Sequence, residues 1–161
     1  MPRLIHFAGL LLFSVLAASV SAEDTGRPLE PTGHYLREWL LCGPFPALTD
    51  AEQDIEAIRL PGMYADFLQV IGGEANARPV VGQVISFAGG SCEWVHHVSS
   101  GDVMDLDVAI SKTDRVVGYA YRKIESPKQQ ACILAVGSND GVRVWLNGEP
   151  VARHPYGYTA F

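Results

Sequence analysis

From Pro79 onward, apolar and polar residues alternate in short runs that are separated by turn-forming residues. Alternation puts neighbouring side chains on opposite faces of a strand, and closely spaced turns are typical of β-sandwiches and barrels. Strands are predicted over Val103–Ile110, Arg115–Arg122, Ala131–Val136, Val142–Leu146 and Pro150–Arg153. The last two are joined by Asn147-Gly148, which favours a two-residue hairpin turn. The sequence therefore predicts an all-β fold, either a β-sandwich or a jelly roll.

The region before Pro79 follows a different pattern. A first strand is predicted over Tyr35–Cys42, and the run Gly43-Pro44-Phe45-Pro46 should end it because proline cannot donate to a ladder. Four apolar residues then share the spacing of one helix face, and Gly72-Gly73 should end that helix; they are Tyr64, Phe67, Leu68 and Ile71. Another helical turn is predicted over Glu52–Ile58. One or two short helices are therefore expected after the first strand.

The N-terminus has the three-part organisation of a secretory signal. Arg3 supplies the positive start, Phe7–Val20 is apolar and uncharged, and Val20-Ser21-Ala22 offers the small residues of a cleavage site. We expect residues 1–22 to be a signal peptide, residues 23–33 a linker and residues 34–161 the sandwich. The protein is then exported to the periplasm or the extracellular space. An uncleaved N-terminal anchor is the alternative.

The net charge limits the classes of binding partner, and the cysteines limit the possible disulfide bonds and metal sites. The net charge is −6 and no basic block occurs, so nucleic acid and anionic membranes are poor partners. Three cysteines follow the signal, at Cys42, Cys92 and Cys132. An exported protein can oxidise one pair and leave one thiol over, and the sequence leaves the pairing open. The spacing of cysteines and histidines supports no zinc site.

Several segments resemble galactose-binding-like jelly rolls, in particular the N-terminal sugar-binding domain of family 2 glycoside hydrolases. Gly137–Gly148 is similar to the "GSDDGVxVWLNG" hairpin, and His154–Phe161 is similar to "H-x-G-G-Y-T-x-F". Trp39–Pro46 resembles the opening "W-x-x-x-GPF" strand, and Tyr119–Pro127 resembles the middle strand and its turn. The resemblance covers Trp39–Phe161 and implies a jelly-roll β-sandwich that serves as an accessory module of a secreted multidomain protein.

Two departures from that pattern matter. Tyr156 stands where the family has the first Gly of its "GGYT" segment. The family also continues through at least one further strand after the position of Phe161. The resemblance therefore implies an incomplete domain or one module of a longer gene product, whose downstream domains would be partners. A fold of this kind hosts unrelated functions, so it identifies no ligand by itself.

No catalytic motif occurs in the sequence. Asp105 and Asp107 fall on one face of a predicted strand, without a carboxylate partner on another element, and we expect them to be solvated. No cofactor is predicted, with structural calcium as the one possibility because acidic loops supply its oxygen ligands; the weak candidates are Asp102, Asp105, Asn139 and Asp140. His96-His97 cannot share an ion, since adjacent strand residues point opposite ways.

The candidate sugar-binding residues lie in and after the hairpin. Three apolar residues of Val142–Leu146 would take the core face, which leaves Arg143 and Trp145 on the other face. An aromatic ring can pack on the C–H surface of a sugar while a charged donor binds its hydroxyls. Tyr156 and Tyr158 follow in a predicted loop, where binding groups are often carried. The alternative is that Trp145 is structural and covered by the segment that carries Tyr64 and Phe67.

We therefore expect an exported, non-catalytic carbohydrate-binding or accessory module. Carbohydrate and downstream domains of the same gene product are the expected partners, with no membrane partner after signal cleavage. Two alternatives stay open. One is the N-terminal fragment of a secreted glycoside hydrolase whose catalytic domain lies downstream. The other is a structural or protein-docking module of an envelope protein.

Overall fold

The computed structural model describes residues 7–17, 35–46, 62, 64–113, 115–126, 133–138, 140–154 and 159–160. Its strands are β1 (Phe7–Ala17), β2 (Glu38–Pro46), β3 (Val84–Phe87), β4 (Gly90–Glu93), β5 (Val95–Val98), β6 (Val116–Ser126), β7 (Gly137–Ser138), β8 (Val142–Leu146), β9 (Glu149–His154) and β10 (Thr159–Ala160). A short helix, α1, spans Leu106–Ala109, and a 3-10 turn spans Gln69–Ile71. The chain is an all-β sandwich with very little helix, as the alternation predicted.

Six strands form the main sheet, in the order β5-β2-β6-β1-β8-β9. Two small antiparallel sheets accompany it, one made by β3 and β4 and the other by β7 and β10. The strand pairs β2–β5, β2–β6 and β8–β9 are antiparallel. Most of the neighbouring strands are therefore joined as in an ordinary antiparallel sandwich.

β1 is the exception in this sheet, because it runs parallel to both of its neighbours. Phe7 to Ala17 pair with Val116 to Ser126 on β6, and Gly9 to Phe13 pair with Val142 to Leu146 on β8. β1 lies within the segment that the sequence predicts to be a signal peptide. Cleavage after Ala22 would consequently remove a central strand. Among the described residues, no helix has the length and hydropathy needed to cross a membrane.

The β2 strand continues past the point where its sequence predicts an end. It runs to Pro46, with a register shift against β6 between Cys42 and Phe45. The irregularity absorbs the prolines, which is where a ladder tolerates them. At Gly43 the backbone has φ 154°, and a Cβ would lie 3.0 Å from Ile110 Cγ2 and 3.2 Å from the Gly118 Cα. The predicted stop is therefore wrong, and a bulge takes its place.

Both faces of the main sheet are buried, each by a different set of side chains. One set, the aromatic face, contains Cys42, Phe45, Leu68, Ala77, Ile85, Cys92, Trp94, Val117, Tyr119, Tyr121 and Trp145. The other set, the aliphatic face, contains Trp39, Leu41, Ala120, Val136, Val142 and Val144. The alternation predicted for β2, β6 and β8 is confirmed by this division. The face opposite Val142 and Val144, however, is a second core.

The segment Val103–Ile110, predicted as an alternating strand, contains α1 instead. The Asp105 carboxylate accepts hydrogen bonds from the backbone N–H groups of Asp107 (3.0 Å) and Val108 (3.2 Å). It is the N-cap that starts the helix. Leu106 and Ile110 pack with Met104 and Ala109 against the aliphatic face. The strand prediction was wrong because a local cap overrode the alternation.

Two other predictions fail in part. Residues 133–136 form no strand, and Ile133 is exposed. Of the predicted helix with the apolar stripe, the described residues show Tyr64 in helical conformation and, further on, the 3-10 turn Gln69–Ile71, which Gly72 closes at φ 100°. The Asp66 carboxylate accepts from the Leu68 N–H at 2.9 Å, a local bond that competes with helix formation. Glu52–Ile58 lies outside the described residues.

The hairpin between β8 and β9 is confirmed. Asn147 and Gly148 have φ of 55° and 90°, the two positive values that this turn requires. A Cβ at Gly148 would lie 2.7 Å from the Ala75 carbonyl oxygen. The turn therefore lies directly against residues 64–77, which we call the covering segment because they pack on the aromatic face.

Candidate functional site

A polar and aromatic cluster lies where the aromatic face reaches the surface. We call it the Arg143 cluster; its members are Tyr64, Glu74, Tyr119, Arg143, Trp145 and Arg153. Three strands contribute to it, β6, β8 and β9, and the covering segment supplies Tyr64 and Glu74. It contains both described residues that the sequence put forward for sugar binding, together with four that it did not.

Arg143 is the centre of this cluster. Its guanidinium carbon lies 4.3 Å from the centroid of the Trp145 ring and 5.7 Å from that of the Tyr64 ring. Its Nη1 lies 3.3 Å from Glu74 Oε2. A guanidinium so placed combines cation–π attraction with an ion pair. The Arg143 side chain is 19% exposed, so it is not fully withdrawn from solvent.

Glu74 is a buried carboxylate with two partners. Besides the ion pair with Arg143, its Oε1 accepts a hydrogen bond from the Tyr119 hydroxyl at 3.1 Å. Burial raises the pKa of Glu74 to about 7, because loss of hydration outweighs the attraction of Arg143; Asp66 raises it further. Burial and the Glu74 charge together raise the pKa of Tyr119. Glu74 therefore exchanges its proton near neutral pH and changes the charge that Arg143 faces.

Trp145 is only 5% exposed and belongs to the aromatic face. Phe67 and Ala75 of the covering segment pack against the same set. This placement corresponds to the structural alternative, in which the ring is covered by that segment, and Arg143 lies over the ring. Trp145 thus holds Arg143 in place from beneath.

The exposed part of the cluster is formed by Tyr64 and Arg153. Tyr64 is 50% exposed. Arg153 Nη1 donates to the Tyr64 hydroxyl at 2.8 Å, and its guanidinium carbon lies 5.5 Å from the ring centroid. Two guanidinium groups therefore lie close to a half-exposed aromatic ring, and together they form an apolar surface with charged donors beside it. Sequence reasoning missed both residues: it assigned Tyr64 to the apolar face of a helix, and it treated Arg153 only as the end of a strand.

A β-bulge explains why Arg153 joins Arg143. Counting outward from the turn pairs Leu146 with Glu149 and Trp145 with Pro150, but the register then shifts, so that Arg143 faces Arg153. Without the extra residue, Val151, Arg143 would face Ala152 and Arg153 would lie on the opposite face. The Asn147-Gly148 signal could predict the hairpin but not this shift.

The calcium candidates are not brought together. Asp102 pairs with Arg37, whose Nε lies 3.0 Å from its carboxylate, and Asp105 caps α1. Asp140 is buried after β7, where its N–H donates to the Ser138 hydroxyl at 3.2 Å, and Asn139 lies outside the described residues. Within the described part of the chain, no three His, Cys, Asp or Glu side chains gather as a metal site would need.

The remaining candidates have simple placements. His96 Nε2 lies 2.8 Å from Glu38 Oε1, at the surface of the β2–β5 edge. Tyr156 and Tyr158 lie outside the described residues. In comparisons with known proteins, no family model, no curated protein and no solved structure matches the chain.

Proposed function

We propose that the chain is an exported, non-catalytic carbohydrate-binding accessory module with a galactose-binding-like jelly roll, and that it keeps residues 1–22, because β1 is a central strand of its main sheet. The observation that carries the proposal is the exposed Tyr64 ring beside Arg153 and Arg143. The all-β sandwich supports it as well, since rigid strands hold such a surface in place. The proposal needs no cofactor and no catalytic group.

The chemistry of this surface suits a sugar. The half-exposed Tyr64 ring supplies apolar area for the C–H face of a pyranose. Arg153 is exposed and supplies several N–H donors to hydroxyl groups, or to the carboxylate of an acidic sugar. Arg143 stands behind them, fixed by Trp145 and Glu74. Tyr64 and Arg153 would touch the ligand, and the other members of the cluster would position them.

The expected affinity is low. Each hydrogen bond contributes about 0.5–1.5 kcal/mol net, and one aromatic contact adds a similar amount. The sum corresponds to dissociation constants from millimolar to high micromolar. A module of this kind works by raising the local concentration of whatever is attached to it.

Glycan-array screening of the 161-residue chain, followed by titration of any hit, tests the proposal. Tyr64→Ala and Arg153→Ala should each weaken binding by about tenfold, since each removes about 1.4 kcal/mol of contact. Tyr35→Ala is the matched control, because Tyr35 is also exposed and precedes β2, far across the sheet from β9.

Three outcomes would overturn the proposal or a part of it. If no glycan on the array binds, carbohydrate is excluded as the ligand, and the alternative of a protein-docking module is favoured. A hit that Tyr64→Ala and Tyr35→Ala weaken equally would place binding away from the Arg143 cluster. Hydrolysis of a bound glycan by the chain itself would contradict the non-catalytic part.

A further inference from the structure

Two cysteines from different layers of the fold meet within the aromatic face. Cys42 lies on β2 in the six-stranded sheet, and Cys92 lies on β4 in the β3–β4 hairpin. Both belong to the same buried cluster. A covalent link between them would join the hairpin to the main sheet.

The contact between the two side chains is direct. Both side chains are free thiols in this structure, and the Cys42 thiol donates a hydrogen bond to the Cys92 sulfur. The Cys92 Sγ also lies 3.2 Å from the carbonyl oxygen of Pro44, two residues beyond Cys42. Cys42 is 1% exposed and Cys92 is 8% exposed, so neither sulfur is presented to solvent as a separate reactive thiol. Of the three cysteine pairings that the sequence left open, this pair is in contact, and Cys132 lies outside the described residues.

We propose that Cys42 and Cys92 form a disulfide bond that fastens the β3–β4 hairpin to the main sheet. Each thiol loses one proton, one S–S bond forms, and the two electrons released reduce a disulfide oxidant to two thiols. With oxidised glutathione as that oxidant, the products are the protein disulfide and two molecules of reduced glutathione. An exported chain meets oxidants of this class outside the cytosol.

The burial of the pair determines when the bond forms. Thiol–disulfide exchange needs a thiolate that the oxidant can reach. Burial, helped by the neighbouring Cys92, raises the pKa of Cys42 to about 12, and burial also raises the pKa of Cys92. The folded, reduced pair therefore reacts slowly. The bond forms while the chain is still folding, before the hairpin covers Cys42.

The disulfide should stabilise the fold by lowering the conformational entropy of the unfolded chain. It closes a loop of about 50 residues, and the entropy that this removes from the unfolded state corresponds to a melting temperature higher by about 10–15 °C for a domain of this size. The effect is measured on one and the same chain, with and without reductant. No substitution in the core is needed to see it.

Thiol counting on the full 161-residue chain tests the proposal. The chain and its Cys132→Ser variant are reduced, unfolded and refolded with oxidised and reduced glutathione, and free thiols are then counted under denaturing conditions. We expect one free thiol in the parent chain and none in Cys132→Ser. This variant leaves both proposed partners, Cys42 and Cys92, unchanged. Peptide mapping should find the Cys42 and Cys92 peptides joined.

Several results would overturn the bond. Two free thiols in refolded Cys132→Ser, or a crosslinked peptide that contains Cys132, would do so. An equal melting temperature with and without reductant would contradict the stabilising role. If oxidised glutathione reacts with the folded, reduced chain as fast as with the refolding chain, burial does not protect the two thiols from oxidation. None of these measurements involves a glycan or export, so they stand or fall separately from the proposed function.

Discussion

The two faces of the main sheet are covered by different chemistry. The aromatic face holds large rings, among them Trp94, Tyr119 and Trp145, and beside them the buried Glu74 carboxylate and two thiols. The aliphatic face is filled mainly by Leu and Val side chains, with one buried aromatic residue, Trp39. Both faces are built by the same three strands, because alternate residues of β2, β6 and β8 point to opposite sides.

The aliphatic face contributes packing, whereas the aromatic face also holds polar and charged groups. Aliphatic side chains carry no polar groups, so the aliphatic face stabilises the fold through area removed from water. The aromatic face has to satisfy a buried carboxylate, a hydroxyl and a guanidinium, and it does so by joining Glu74 to Tyr119 and Arg143. It therefore reaches the surface with charged groups in fixed positions. A binding function is expected on that side of the sheet.

Removal of residues 1–22 should have the largest effect, because it acts on both faces. β1 pairs with β6 and β8, and without it the main sheet separates into β5-β2-β6 and β8-β9. We expect a loss of about 5 kcal/mol or more, the size of a small domain's whole stability, and association through the opened strand edges. Thermal melting and light scattering of Glu23–Phe161 against the 161-residue chain measure it. Equal melting temperatures would show that β6 and β8 are held together without β1.

A pair of neighbouring substitutions on β8 compares the faces directly. Trp145→Ala empties part of the aromatic face and should cost about 3–5 kcal/mol of unfolding free energy. Val144→Ala acts one residue away on the aliphatic face and should cost about 1–2 kcal/mol, since it removes two methyl groups and leaves a smaller cavity. Urea unfolding of both variants gives the difference. Equal costs would mean that Trp145 contributes no more packing than Val144.

Much of the fold follows from local sequence. The β8–β9 hairpin is predictable because Asn147 and Gly148 adopt the positive φ values that few other residues accept. The division of β6 between the two faces is predictable because strand side chains alternate strictly. The strand predicted around Asp105 from the alternation was wrong, because one side chain that caps two N–H groups is enough to start α1.

The candidate site was less predictable than the fold. Arg143 and Trp145 were assigned correctly to one face of β8, but the burial of Trp145 depends on a covering segment 70 or so residues earlier in the chain, and no local pattern reports such a contact. Arg153 reaches the cluster only through the bulge at Val151. Glu74 carried no signal, because a lone glutamate is usually solvent-exposed.

The pH dependence of stability distinguishes the faces, because the buried carboxylate lies on the aromatic one. The pKa of Glu74 is about 7 in the folded chain against 4.5 for the ordinary group, so the folded state binds the extra proton between these values. Its contribution is fully present below pH 4.5 and is lost as the pH rises through 7, on the order of 3 kcal/mol. Glu74→Gln should flatten this fall in the unfolding free energy.

Glu38→Gln is the control for that measurement. Glu38 is exposed, and its pKa is lowered, first by the hydrogen bond with His96 and then by Arg122. A lowered pKa gives the opposite sign, so the variant should leave the fall between pH 4.5 and 7 in place. A fall that survives Glu74→Gln would assign the dependence to another group.

The smallest expected effect lies on the aliphatic face, at the cap of α1. Asp105→Ala removes the acceptor for the N–H groups of Asp107 and Val108, and loss of such a cap costs about 1 kcal/mol. Asp105→Asn keeps an oxygen in the same place, so its free energy of unfolding should be within a few tenths of a kcal/mol of that of the parent chain. Urea denaturation resolves the two. If Ala and Asn cost the same, the carboxylate acts through its charge, by way of the helix dipole, and not as a cap. If neither costs anything, α1 contributes no stability, and the packing of Leu106 and Ile110 on the aliphatic face is loose.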